Sequence, residues 1–418
     1  MDTELEPIRR ARGQFAAMSC TYFLGVFNDN FFKQAALVLA VAAGRPSMQG
    51  YAVAAFTVPF IVFAAPAGWL ADRFPKRTVV IGAKWTEFLA MLFGAAGVCC
   101  GNWFLIFAML GTMGMQATVF SPALNGSIPE LYPASYVTRA NGLLRMIITA
   151  AILTGVALAG IALDRQGAGL WNVDRGRLAV AATVMGVALF GLLVSYGVPR
   201  RPAADPRVPF PWKGPLHTLQ QLAATRKDPL LAVTIAANVF IWFVGSLEIL
   251  LINPLGIQQF GLSKSMTSCL VASELIGLSV GGLISGRFVT IKRWFRIMGP
   301  VSLLMSLVMI GMVLVPSAPA RAQLPLLYAL TLLLGLTGGI VLIPMESFIQ
   351  VRPAPERKGA VLSAVNFVVF TGILLSGFIS NFMNAHWAPT FGFGVLGTAS
   401  GVISLALLLA YRRQEARA

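Results

Sequence analysis

Charge is what this 418-residue chain has least of. Only 11% of its residues are Asp, Glu, Lys or Arg, where a soluble domain carries roughly 25%. Histidine occurs twice and cysteine four times. His217 and His386 lie far apart and no C-x-x-C pair exists, so neither a zinc cluster nor a disulfide scaffold has the residues it needs. Cys20, Cys99, Cys100 and Cys269 fall in or at the ends of apolar runs and read as small apolar core residues. No set of nucleophile, base and orienting group is visible, and neither histidine begins an H-x-x-x-x-D pair, so the chain does not read as an enzyme. Acid is scarcer than base, 16 residues against 32, for a formal net charge of +16.

What is present is apolar: 57% of the residues. A bilayer core about 30 Å thick takes about 20 apolar residues per crossing helix. Twelve runs suit that length, at 14–43, 47–71, 78–98, 102–128, 138–163, 176–198, 229–260, 266–290, 295–316, 323–350, 359–384 and 388–411. They are continuous rather than alternating, which excludes an outer-membrane barrel. The first is too long for a cleaved signal and lacks a small-residue cleavage site, so it reads as a true span. The expectation is an all-α membrane protein of twelve transmembrane helices. Its six-helix halves at 1–198 and 229–418 are joined by a linker at 199–228, rich in proline and charge, with a short amphipathic helix near 215–226.

The excess of base has a direction. With the N-terminus inside, 23 of the 32 basic residues fall in cytoplasmic segments, six in outer ones, and Lys33, Lys84 and Arg145 within spans. That bias places both termini in the cytoplasm of a multi-pass bacterial inner-membrane protein. It also removes a nucleic-acid partner, because no single stripe collects the charge.

Ionisable residues at bilayer depth usually face a cavity or a partner. Asn28-Asp29-Asn30 interrupts the first apolar helix, and Asp29 and Lys33 share a helix face four residues apart. One reading is a substrate or ion site; the other is an internal ion pair that fixes packing. Lys84 and Glu87 are three apart and read first as a structural pair. Arg145 reads equally as a cavity residue or an interfacial one. Glu248 reads as a cavity-facing carboxylate, Glu346 as a gate contact, and Glu274 has no assigned role. Asp72, Arg73, Lys76 and Arg77, in G-W-L-A-D-R-F-P-K-R (68–77), read as a conformational latch between two helices. Gly111, Gly114, Gly281, Gly282, Gly335, Gly338 and Gly339 allow close helix approach, and Pro59, Pro66, Pro122 and Pro344 allow kinks.

Twelve helices in two halves, with that motif at 68–77, resemble the major facilitator superfamily. Within it, F-N-D-N-x-x-K (27–33), F-S-P-A-L-N-G-S-I-P-E-L (120–131), R-A-N-G-L (139–143) and G-G-I-V-L-I-P-M (338–345) resemble the bacterial lysophospholipid transporters. The resemblance implies secondary active transport by alternating access, flipping lysophospholipid to the inner leaflet. It also implies membrane lipids as partners and a separate re-acylating acyltransferase. No cofactor is expected, only a coupling ion, Na+ or H+, at Asp29, and the chain reads as a monomer. Asn28, Asp29, Asn30, Lys33, Asn125, Arg145 and Glu248 would bind substrate or ion. Two departures stand out. The family's S-P-A segment continues Lys-Tyr-Gly, where this chain has Leu124-Asn125-Gly126, and Glu248 lies in the helix-seven stretch where an arginine is expected. Both remove positive charge from the implied cavity, which supports an alternative: export of an amphipathic cationic drug or metabolite.

Overall fold

The computed structural model describes the chain except residues 1, 126–130, 133, 201, 204–205, 208, 213, 289–293, 355–357 and 416–418. Among the described residues the chain is helical, and its single β-bridge joins Ala168 to Asp174. Packing divides it into two units: Met1–Ala36 with Ala54–Gly214, and Leu37–Val53 with Pro215–Ala418.

The first unit holds most of α1 (Asp2–Ala42), α2 (Met48–Val62), α3 (Ala64–Arg73), α4 (Lys76–Cys100), α5 (Trp103–Asn125), α6 (Ala134–Leu163) and α7 (Arg175–Ser195). The run at 47–71 is not one straight helix. It breaks at Phe63, with α2 and α3 inclined by 53°. Pro66 supplies no N–H to the carbonyl four residues back, so the helical ladder lapses there. α4 packs against both α5 and α7. Met18, Tyr22, Val80, Phe120 and Leu144 are buried together in this unit's core.

The second unit holds a short helix α8 (Gly214–Thr225), α9 (Pro229–Pro254), α10 (Lys264–Phe288), α11 (Trp294–Gly311), α12 (Ala320–Val351), α13 (Lys358–His386) and α14 (Pro389–Glu415). α10 and α12 are its most extensively paired helices. Gly277 on α10 and Gly335 on α12 explain how: a Cβ at either would overlap the facing helix's backbone, at Leu332 and Glu274. Lipid offers no hydrophobic gradient between helices, so such backbone contact carries the association. The end of α1 and the start of α2 join this unit. Gln49 Nε2 donates to the Leu250 carbonyl at 3.2 Å and its Oε1 accepts from Asn253 Nδ2 at 3.0 Å.

Among the described residues, ten helices are long and apolar enough to cross a membrane, and the bent α2–α3 pair makes up to eleven. α1 has the length, 41 residues, but Asn28-Asp29-Asn30 and Lys33-Gln34 dilute its apolar run. It covers the expected first span, 14–43, and falls short of that apolar criterion.

Asp228 caps α9, accepting from the Leu231 N–H at 3.2 Å, and Arg352 Nε donates to its Oδ2 at 2.7 Å. Burial alone would push the Asp228 carboxyl up. The hydrogen bonds from Arg352 and from the Leu231 and Leu230 N–H groups outweigh it and hold the group below the usual carboxylate range. A depressed carboxyl contributes stability above its unfolded pKa of about 3.9 and loses it as pH falls through the folded value. Arg352 is 47% exposed, so the pair itself adds less than about 1 kcal/mol. Asp228→Ala is expected to cost about 1–2 kcal/mol, because it also removes a cap, and Arg352→Ala less. Thermal unfolding in detergent at neutral pH measures both, and the Asp228→Ala difference should fade in acid.

Candidate functional site: buried polar clusters in each unit

In the first unit, Asn28, Lys84, Glu87 and Gln116 are all buried. Glu87 is the hub. Its Oε2 accepts from Lys84 Nζ at 2.6 Å and from Gln116 Nε2 at 3.4 Å, and its Oε1 accepts from Asn28 Nδ2 at 3.3 Å. Asn28 Nδ2 also donates to the Val184 carbonyl at 3.2 Å. The cluster therefore joins α1, α4, α5 and α7. Lys84 Nζ also lies 4.8 Å from the Phe120 ring centroid, and Gly25 lets it approach, since a Cβ there would meet Nζ at 2.7 Å.

Both hydrogens of the Asn28 amide are engaged, which leaves its Oδ1 as a buried acceptor without a donor. Asp29 Oδ1, on the next residue, is likewise buried and unpartnered. Buried polar atoms are rarely left so, and two adjacent ones mark a place that a cation or donor group would satisfy. Asp29 and Lys33 do not close into the internal ion pair that their spacing allows. Lys33 Nζ instead lies 5.3 Å from the centroid of Phe56. Lys84 and Glu87 do pair, as their spacing indicates, but as the centre of a four-helix network rather than as an isolated turn.

Asn30 is half-buried, with its Nδ2 donated to the Val26 carbonyl at 2.8 Å. Arg145 is exposed on α6. Asn125 ends α5, and its side chain lies outside the described residues. Of the latch residues, Arg77 Nη2 donates to the Tyr196 carbonyl at 2.9 Å, tying the start of α4 to the end of α7. Arg73 lies over Trp69 at 5.5 Å, Lys76 is half-buried and Asp72 is exposed.

In the second unit, Glu248 on α9 and Glu274 on α10 are both buried and act on each other electrostatically. Glu248 Oε1 and Glu274 Oε2 have no partner. Among the described residues no ion pair joins either acid to a base. Glu346 is half-buried on α12.

The excess acid at bilayer depth is thus unevenly placed. The first unit balances Asp29 and Glu87 against Lys33 and Lys84, while the second holds Glu248 and Glu274. Sequence reasoning missed Gln116 and the Glu248–Glu274 contact. Gln116 was visible as a lone amide within an apolar run. The carboxyl pairing had no local signal, because its partners are on different helices. Among the described residues, no three His, Cys, Asp or Glu side chains could hold a metal ion together.

A profile of the Major Facilitator Superfamily matches residues 18–377. The lysophospholipid transporter LplT of Klebsiella pneumoniae subsp. pneumoniae is 29% identical over 350 residues, covering 83% of this chain and 82% of that one. The protein of the same name from Serratia proteamaculans is 29% identical over 341 residues, covering 80% and 79%. Among solved structures, a D-xylose-proton symporter aligns with a TM-score of 0.69 at 16% identity, covering 94% of this chain and 96% of that one. A bacterial homolog of the human lysosomal transporter Spinster aligns with a TM-score of 0.71 at 15% identity, covering 96% and 94%. At these identities the structures carry the fold alone.

Proposed function

The chain belongs to the major facilitator superfamily, and from that premise we propose that it flips lysophospholipid to the inner leaflet by alternating access. It is a multi-pass membrane transporter rather than an enzyme. The proposed substrate has a zwitterionic head group and a single acyl chain. The observation that carries this reading is the pair of buried acceptors without a protein donor, Asn28 Oδ1 and Asp29 Oδ1, with Lys33 one turn away.

The geometry suits such a head group. Residues four apart on a helix rise by about 6 Å, a span comparable to the separation of ammonium and phosphate in a phosphoethanolamine. Asp29 and Asn28 would receive the ammonium. Lys33, which lies over the Phe56 ring in this structure, would exchange that contact for the phosphate. The acyl chain would stay in apolar surroundings. This places the phosphate partner on Lys33, which compensates for Leu124 and Glu248 standing where the family resemblance implies base.

Coupling is assigned to the same carboxylate. A proton or Na+ at Asp29 drives transport only if it binds one conformation better than the other. In this reading both termini and the basic linker face the cytoplasm, where a separate acyltransferase consumes the product. A second reading, export of an amphipathic cation, draws on Glu248 and Glu274, two buried acids with no base paired to them.

The test is transfer of labelled lysophosphatidylethanolamine into the inner leaflet of proteoliposomes. Transfer above protein-free vesicles, dependent on an ion gradient, is the expected result. Stimulated efflux of cationic amphiphiles without lysolipid transfer would favour the second reading.

A further inference from the structure

The short helix α8 does more than link two halves. It faces its own unit through Leu222 and Thr225: Leu222 packs against the core around Leu231, Ile235 and Ile349, and Thr225 is buried. Its other side is not covered. Leu216 is 54% exposed and Leu219 49%, and Ala223 is exposed as well. These three are spaced i, i+3, i+7, so they form one continuous stripe on a helix. Two residues before the helix, Trp212 is 85% exposed.

A soluble protein would meet water with such a stripe. Here two observations identify a different neighbour. The first is position. Thr225 ends α8 and Pro229 begins the membrane-crossing α9. Four residues of chain reach at most about 14 Å, so the C-terminal turn of α8 is held within that distance of the point where α9 enters the bilayer. The second is charge. The segment from 199 to 228 carries six basic residues (Arg200, Arg201, Arg207, Lys213, Arg226 and Lys227) against two acids. One acid, Asp228, is already paired with Arg352. Arg226 and Lys227 directly follow the stripe and are exposed.

We infer that α8 lies in the head-group layer of an anionic leaflet, with Leu216, Leu219 and Ala223 in the acyl boundary and Arg226 and Lys227 on lipid phosphates. A helix with a leucine face, a flanking tryptophan and adjacent base is built for that interface. The partner is the lipid surface itself. This assignment is independent of the transported substrate, so the transport assay can fail while it stands.

A spin label on a single cysteine at Leu219→Cys, with Cys20, Cys99, Cys100 and Cys269 replaced by serine, tests it in the full chain. The protein is reconstituted in phosphatidylcholine vesicles with and without phosphatidylglycerol. In the anionic vesicles, relaxation by membrane-dissolved oxygen is expected to dominate over relaxation by an aqueous nickel chelate. Replacing Arg226 or Lys227 by glutamine should reduce the ratio of seated to unseated label by about fivefold each, and added salt should reduce it further. A label equally open to the chelate in both vesicles overturns the inference. So does shielding that depends on protein concentration in detergent without lipid, which would mean a protein partner. If the cysteine variant folds poorly, the same label at Ala223→Cys reads the same stripe.

Discussion

Asp29→Asn is expected to lower lysophosphatidylethanolamine transfer by roughly ten- to a hundredfold in proteoliposomes, without lowering the melting temperature. Hydrogen bonds to charged groups contribute about 1.5–3 kcal/mol, and each 1.4 kcal/mol is about tenfold. Asparagine keeps the side chain's shape and its buried Oδ1, so the fold has little reason to respond. The amide cannot balance an ammonium or bind a coupling proton, so the remaining slow transfer should no longer respond to an ion gradient. Lys33→Met separates the two candidate substrates. It should depress transfer of a phosphate-bearing lysolipid by a similar factor, since Lys33 closes no ion pair in this structure and its ammonium is available to a phosphate. A single-chain amine without phosphate should be unaffected by Lys33→Met and still depend on Asp29. Full lysolipid transfer by both variants would remove the head-group site from α1.

The spans were legible because a bilayer demands a simple property, continuous apolar length. The run at 229–260 became the helix and π-turn of Pro229–Gln259, and that at 359–384 became Val361–His386. The short amphipathic linker helix was legible for the same reason, as periodicity. The break at Phe63 was less so. Pro59 and Pro66 announce that the helix can bend, but not that α2 and α3 meet at 53°. Harder still was the polar interior. Asn28 and Glu87 are 59 residues apart, and no periodicity links them. The i, i+3 spacing of Lys84 and Glu87 suggested a pair that satisfies itself. It does not, because a carboxylate has about four acceptor positions and one ammonium fills only one of them. The surplus capacity collects Asn28 and Gln116. Residue chemistry thus indicated that Glu87 needed more partners, and only the fold could say from which helices.

That surplus makes the Lys84–Glu87 pair the most sensitive point of the first unit. Lys84→Met would leave the Glu87 carboxylate buried with two weak amide donors, and Glu87→Leu would leave a buried ammonium with an aromatic face. Each single substitution is expected to destabilise by about 3–5 kcal/mol, the cost of stranding one member of a buried pair. Expression and thermal unfolding in detergent should show this as a large loss of folded protein. The double variant, Lys84→Met with Glu87→Leu, removes both charges at once and should recover most of the loss. Recovery should stop short of wild type by about 1–3 kcal/mol, because Gln116 loses an acceptor and Asn28 keeps only the Val184 carbonyl. The remaining deficit should carry a transport signature. Asn28 would be free to rotate, its Oδ1 would no longer be held as an acceptor beside Asp29, and the lysolipid KM should rise more than the maximal rate falls. A double variant less stable than either single would mean that the network, not the charge pair, is what the four helices require.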